Sequence, residues 1–317
     1  MRYRGRYPIF SSSVSTYPIA KRKNQLSVGS LVQPVDVPLG TIPDKLQLVV
    51  AAVRRARDAD KPVIIFTGAH LIKGGLSLLL IDLMRRNIVT AVATTGAGMI
   101  HDFELALIGA TSEDVVESLP AGRFGMCTET SRYMNQAFRA AVNRGIGAGE
   151  ALGRLIRGEA MPKAVKFLFP YASIAFSGID FCKPVTMHAS IGTDVIDQHK
   201  TSDLEAKGAS SGVDFRIFAA QVCDLAGGVF LNIGSAVQGP EVFLKAVSMA
   251  ANIGKPPIGL TTASFDLRMW HDDNDNYYFR DMKSVVTRIP WAFEGTGHYV
   301  HGDIRTTFPL FYHALSR

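Results

Sequence analysis

The chain has 317 residues, 47% of them hydrophobic and 20% charged, with a formal net charge of +6. That length and apolar content supply one large core or two smaller ones and exclude a disordered or fibrous chain. The basic residues are scattered rather than gathered on one face, which argues against a nucleic-acid surface, and no stretch approaches the ~20 apolar residues that a membrane span needs.

Residues 1–42 are rich in Ser, Pro, Tyr and basic side chains and keep no steady period. They read as an extended N-terminal arm, leaving residues 43–317 as a single domain. Leu46, Val49, Val50 and Val53 have the spacing of an amphipathic helix over 42–60. Its basic end, Arg54-Arg55-Ala56-Arg57, suits the helix C-terminal dipole. Residues 62–66 then read as a buried strand ending at Thr67-Gly68-Ala69-His70, with a helix over 76–86 after it. Residues 89–93 form the next strand, which runs into Thr94-Thr95-Gly96-Ala97-Gly98-Met99-Ile100-His101-Asp102 and a helix through Phe103 and Leu107. Strand, glycine turn and helix thus occur twice in about fifty residues, the signature of an α/β fold: a doubly wound, mostly parallel sheet flanked by helices, Rossmann-like.

Helices are expected over 131–144, 149–157 and 172–181, followed by a strand at 185–188 and a polar loop holding Gly192, Asp194, Asp197, His199 and Lys200. A helix over 212–225 and a strand over 228–231 lead to a second glycine turn, Asn232-Ile233-Gly234-Ser235-Ala236-Val237-Gln238-Gly239-Pro240-Glu241. Pro240 suits the first turn of the next helix. A strand over 257–262, an acidic loop over 271–276 and a short closing helix complete the chain. The two glycine turns carry the functional argument. Glycine lets a backbone approach a ligand closely, and the following helix offers free N–H groups to phosphate. Two such turns at the rim of a parallel sheet predict a dinucleotide, NAD, laid across the strand ends. Neither turn fits G-x-G-x-x-G, so tight strand–helix connection alone stays open as a reading.

Three widely spaced cysteines, Cys127, Cys182 and Cys223, argue against a disulfide framework or zinc site. With no apolar h-region near the start, the expectation is a cytoplasmic protein. Zincin and Walker A patterns are missing. His188 and His199 flank Asp194 and Asp197 in a loop where acid–base groups are commonly placed. His70, His101 and His301 read as isolated loop or terminus histidines. Asp102, Asp194, Asp197, Glu241, Asp266 and Asp303 lie at predicted strand ends, where carboxylates hold a cationic ligand such as a polyamine by charge-assisted hydrogen bonds. Helix capping explains Asp102 and Glu241 equally well.

The order of these landmarks from about residue 43 onward resembles the deoxyhypusine synthase family. Gly68-Ala69-His70-Leu71-Ile72 looks like its first nucleotide turn, and Thr94-Thr95-Gly96-Ala97-Gly98 with Asp102 like its Thr-Thr-Ala-Gly-Gly stretch. Gly234-Ser235-Ala236-Val237 looks like its Gly-Gly-Gly-Val turn, and Thr262-Ala263-Ser264-Phe265-Asp266 like its Thr-Ala-Gln-Glu-Phe-Asp stretch. Gly302-Asp303 before Phe308-Pro309-Leu310 looks like its closing motif.

The resemblance implies homotetramers of Rossmann-like subunits. They bind NAD, oxidise spermidine, and pass an aminobutyl group through a lysine imine to an acceptor amine. It assigns cofactor contacts to Gly68, Thr94, Thr95, Gly96, Gly98, Asp102, Gly234, Ser235, Asp266 and Asp303, and contacts to a small cationic amine to Asp194, Asp197 and Glu241. Lys283, Arg288 and His188 are the catalytic candidates. The family's Glu-Ala-Val-Ser-Trp-Gly-Lys stretch is matched by Lys283-Ser284-Val285-Val286-Thr287-Arg288, and a guanidinium forms no Schiff base. The expectation is therefore an NAD-dependent transferase acting on a polyamine or related amine, with an altered transfer step. The alternatives are an NAD-binding regulatory module, a homospermidine-synthase-like enzyme, or an ordinary NAD-dependent dehydrogenase.

Overall fold

Val63–Thr67, in which all five residues are buried, shows how the centre of the molecule forms: side chains alternate across the strand, so a fully apolar run needs helices on both faces. The computed structural model describes residues 4–10, 14–37, 40–270 and 279–316. Its strands are β1 (Asn24–Ser27), β2 (Val63–Thr67), β3 (Ala91–Thr95), β4 (Ala110–Glu113), β5 (Val185–His188), β6 (Val229–Ile233), β7 (Thr261–Asp266) and β8 (Thr296–His301). The first six helices are α1 (Asp44–Asp58), α2 (Ala69–Lys73), α3 (Ser77–Arg85), α4 (Gly96–Ile108), α5 (Val115–Ser118) and α6 (Thr128–Arg144). The rest are α7 (Ala148–Ile156), α8 (Ile174–Asp180), α9 (Leu204–Cys223), α10 (Gln238–Asn252), α11 (Ile289–Ala292) and α12 (Ile304–Ser316).

Six strands form one sheet in the order β5-β3-β2-β6-β7-β8, with every pairing parallel. Numbered along the chain within the sheet, that is 3-2-1-4-5-6, the doubly wound Rossmann-like order. Val63 and Ile65 of β2 pack into a core with α1, α3 and α12, while Ile64 and Phe66 pack on the opposite face with α9 and α10. β2 and β6 are the two strands from which the chain departs in opposite directions, so a crevice opens between their carboxyl ends.

Three features differ from the sequence reading. The strand expected over 257–262 is β7, Thr261–Asp266, so Thr262 to Asp266 is buried sheet rather than a turn. α9 begins at Leu204, eight residues ahead of the expected start at 212, where Asp203 caps it by accepting from Ala206 N. The segment expected as an extended arm packs, over 14–37, on its own chain. β1 pairs antiparallel with β4, and Leu26 and Leu31 join the core. Of the cysteines, Cys127 is buried and Cys182 exposed. Among the described residues no helix is long and apolar enough to cross a membrane.

Candidate functional site

The Asn232–Glu241 turn meets the turn after β2 rather than the Thr94–Asp102 turn, because β2 lies between β3 and β6 in the sheet. Gly68 ends β2 and Gly234 ends β6, and a Cβ on Gly68 would clash with the carbonyl oxygen of Gly234. Gly234 itself has φ +64°, which an L side chain adopts poorly. Over this contact opens a cleft of about 460 Å³ whose wall includes His70, Lys73, Gly234, Asp266, Asp303 and Arg305. A second cavity of about 240 Å³ lies beside the β3 turn and the loop after β5, with Arg22, Ala97, His101, Glu104 and Asp194 in its wall. Lys73 lines both.

Several expected cofactor groups spend their side chains on the fold. Thr94 Oγ1 donates to Thr67 O at 3.0 Å and ties β3 to β2. Thr95 Oγ1 caps α4 by accepting from Gly98 N at 3.0 Å. Ser235 Oγ accepts from Gly239 N at 2.9 Å at the start of α10. Asp102 is committed to the start of α8: its carboxylate accepts from Ser173 Oγ at 2.6 Å, Ile174 N at 2.6 Å and Ala175 N at 3.2 Å. Burial nevertheless pushes it up to about 6. Gly98 and Gly96 give close packing instead: a Cβ on Gly98 would strike Thr94 Oγ1, and one on Gly96 the carboxylate of Asp194. Asp266 and Asp303 do reach the cleft. Asp266 ends β7, buried, and accepts from Arg268 N at 2.8 Å. Asp303 accepts from Arg305 N at 2.8 Å and pairs with its guanidinium at 2.5 Å, which holds its carboxyl below the usual range.

The carboxylates expected to hold an amine already hold one of the chain's own. Lys207, in the first turn of α9, has no exposed surface; its ammonium donates to Asp194 at 2.7 Å, to Asp197 at 2.7 Å and to Ser190 O at 3.2 Å. Burial pushes Asp194 up against the pull of Lys207. Glu241 lies on α10 and pairs with Lys245 one turn on. Lys207 had no sequence signal beyond a lysine in an unassigned stretch, because its partners lie ten and thirteen residues away in the loop.

Among the described residues, the walls of the two cavities include none of the three catalytic candidates. His188 ends β5 inside a ring cluster, 5.4 Å from Phe66 and 5.2 Å from Phe218 between centroids, and burial pushes it down to about 4. Lys283 is buried just before a π-helical turn, Ser284–Arg288, and is not in the cleft wall. Arg288 is exposed and donates to Arg280 O at 3.3 Å. The acidic loop over 271–276 lies outside the described residues.

No protein-family model matches the chain, and no curated protein is significantly similar to it in sequence. Solved structures are similar in fold. The ternary complex of AgrE with ornithine and NAD+ matches with TM-score 0.50 and 16% identity, over 87% of this chain and 34% of that one. ArgZ, a cyanobacterial arginine dihydrolase, matches with TM-score 0.46 and 16% identity, over 87% and 33%. A protein from Entamoeba histolytica proposed as a deoxyhypusine synthase matches with TM-score 0.47 and 8% identity, over 85% and 86%. The chain spans about a third of the length of AgrE and ArgZ. The likeness to AgrE establishes a related α/β fold and no particular family.

Proposed function

We propose that the chain binds NAD(H) across the β2–β6 switch point and uses it for redox chemistry on a substrate in the smaller cavity. The observation that carries this reading is the contact of Gly68 with Gly234 beneath a cleft ending at Asp266. Gly68 packs on Gly234 and holds that turn in place, and Gly234, at φ +64° in the cleft wall, presents bare backbone to a pyrophosphate. Lys73, exposed between the two cavities, supplies the countercharge. Asp266 ends β7 beside β6 and lines the cleft, where its carboxylate can accept from ribose hydroxyls. The adenosine half then lies over β6–β8 and the nicotinamide half toward β3 and β5. When bound, the coenzyme supplies reversible hydride transfer. About a third of the AgrE chain has a related fold, and the AgrE complex contains NAD+.

Polyamine transfer is the finer reading. It needs carboxylates without a cation and a lysine at the reacting carbon. Asp194, Asp197, Glu241 and Asp303 each have an internal cation, and Lys73 is the lysine in the described walls of the two cavities. Transfer would therefore run through Lys73 or directly between amines. That the described walls of the two cavities include none of Lys283, Arg288 and His188 favours a second reading, a dinucleotide-binding module without transferase activity.

Calorimetry with NAD+ and NADH tests the first step. The expected result is saturable binding that Lys73→Glu weakens on the order of tenfold; no heat with either oxidation state sinks the reading. Absorbance at 340 nm after addition of NAD+ with putrescine or spermidine then separates transferase from module.

A further inference from the structure

His101 lies in the first half of α4 and forms part of the wall of the smaller cavity. Its Nδ1 is 2.8 Å from Thr111 Oγ1 on β4. The Thr111 hydroxyl has one hydrogen, and its destination is fixed by Glu104 Oε2 at 2.6 Å. Glu104 is buried, gripped by both Arg22 Nη groups at 2.8 and 2.6 Å, and accepts from Thr130 Oγ1 at 2.8 Å. The Arg22 guanidinium holds its carboxyl below the usual range against burial, so Glu104 is an acceptor only. Thr111 has spent its hydrogen on Glu104 and offers His101 a lone pair. Nδ1 therefore carries the ring hydrogen, and the lone pair of the neutral imidazole is on Nε2. Among the described residues Nε2 has no hydrogen-bond partner, and it is not one of the sealed polar atoms of the interior.

We propose that His101 is the general base of this site, taking a proton at Nε2 from the hydroxyl or amine of a substrate held in the 240 Å³ cavity. The proposal rests on the dinucleotide reading, which supplies the oxidant. Hydride leaves the substrate carbon for NAD+ while the O–H or N–H bond breaks. That proton goes to Nε2, and the bonding pair becomes the second bond of C=O or C=N. In the reverse direction the imidazolium returns the proton. The relay behind the ring has a role in this: Glu104, one hydroxyl away, faces the positive charge that the ring acquires. Burial, helped by Lys73, Arg22 and His70, pushes His101 down to about 4 while Glu104 opposes them; Glu113 and Asp194 complete the charged wall. The ring is thus in its proton-accepting form throughout the neutral range.

Diethylpyrocarbonate, which acylates unprotonated imidazole nitrogen, tests this without a known substrate. The ligand-free protein is labelled at pH 5 and pH 7 and mapped by mass spectrometry, with N-acetylhistidine as reference. An ordinary imidazole slows roughly 25-fold between pH 7 and pH 5 as it protonates. His101 is expected to slow less than twofold and to be acylated at Nε2. Nitrogen-15 spectra are expected to show Nδ1 protonated, and Thr111→Val to abolish that preference. A His101 that resists labelling at both pH values, or that carries its hydrogen on Nε2, overturns the proposal. NAD+ calorimetry on the same preparation reports separately on the dinucleotide reading, so the two fail in different measurements.

Discussion

A histidine at a strand end invites a catalytic role, and His188 shows how burial removes it. The ring is 4% exposed, packed on Phe66, Phe215 and Phe218, with Thr186 Oγ1 at 3.1 Å as its polar partner. In that setting the charged form is expensive, and the folded value of about 4 lies well below the ordinary 6.5. A depressed histidine means that the unfolded chain binds the proton first as pH falls. The penalty is absent above pH 6.5 and grows until the folded value is reached near 4. It amounts to about 3 kcal/mol at full extent. His188→Phe removes it at the cost of one neutral hydrogen bond, about 1 kcal/mol. The variant is therefore expected to be slightly less stable than the parent at pH 7.5 and more stable by about 2 kcal/mol near pH 4, read from urea midpoints. A constant difference across that window would mean the ring is protonated in the fold. Lys207 is the converse case. It is a buried charge kept by three acceptors, and the Asp194–Asp197 site that reads as waiting for an amine is closed by the chain itself.

At the scale of elements, the contact between the turns after β2 and β6 is where the dinucleotide proposal can be tested. Gly68 and Gly234 bring two backbones together where no methyl group fits, whereas Gly212 on α9 has open space around its Cα. Gly68→Ala is expected to destabilise by about 2 kcal/mol or more, because neither backbone can yield, and to weaken NAD+ binding at least tenfold. Gly212→Ala is expected to be neutral or stabilising by up to ~1 kcal/mol. Calorimetry and thermal melts on the pair check both; equal effects would show that the contact has slack. The same contact marks how far the sequence could be read. The runs at Val63 and Val229 are apolar and glycine-terminated, so strand, turn and helix were legible there, and with them the rim residues Gly68, Gly234 and Asp266. β8 was not legible, because Thr296–His301 mixes one glycine with two histidines and buries only Tyr299 and Val300. β4 is a four-residue Ala-Thr-Ser-Glu strand with no apolar run at all, defined by its pairing to β1. Thr94 and Thr95, read as turn residues, end β3, and Asp102 lies inside α4; Thr95 caps that helix locally through Gly98 N, whereas the partners of Thr94 and Asp102, Thr67 and Ile174, are set by tertiary packing that spacing does not encode.

Across the whole molecule, the N-terminal segment is joined to the candidate chemistry by one ion pair. Arg22 precedes β1, and β1 pairs with β4, the strand that carries Thr111. Its guanidinium closes the buried carboxylate of Glu104 at 2.6 Å, with the two side chains 5% and 2% exposed. Glu104 in turn fixes the Thr111 hydroxyl against which His101 is oriented. A segment that looks like a tail on composition thus sets the hydrogen-bond direction at the cavity. Arg22→Met tests the chain of dependence. It leaves an ionised carboxylate buried without its cation, a loss of about 3–5 kcal/mol in comparable pairs. Neutralising both partners, Arg22→Met with Glu104→Gln, removes the stranded charge, so the double variant is expected to be more stable than Arg22→Met alone despite carrying one more substitution. Amide exchange in Arg22→Met should quicken across Asn24–Ser27 and Ala110–Glu113 while the sheet centre at Val63–Thr67 stays protected. If instead the double variant is weaker than the single one, Glu104 is held by its threonines rather than by Arg22. The His101 tautomer would then survive loss of the N-terminal segment, and the cavity would belong to the Rossmann-like sheet alone.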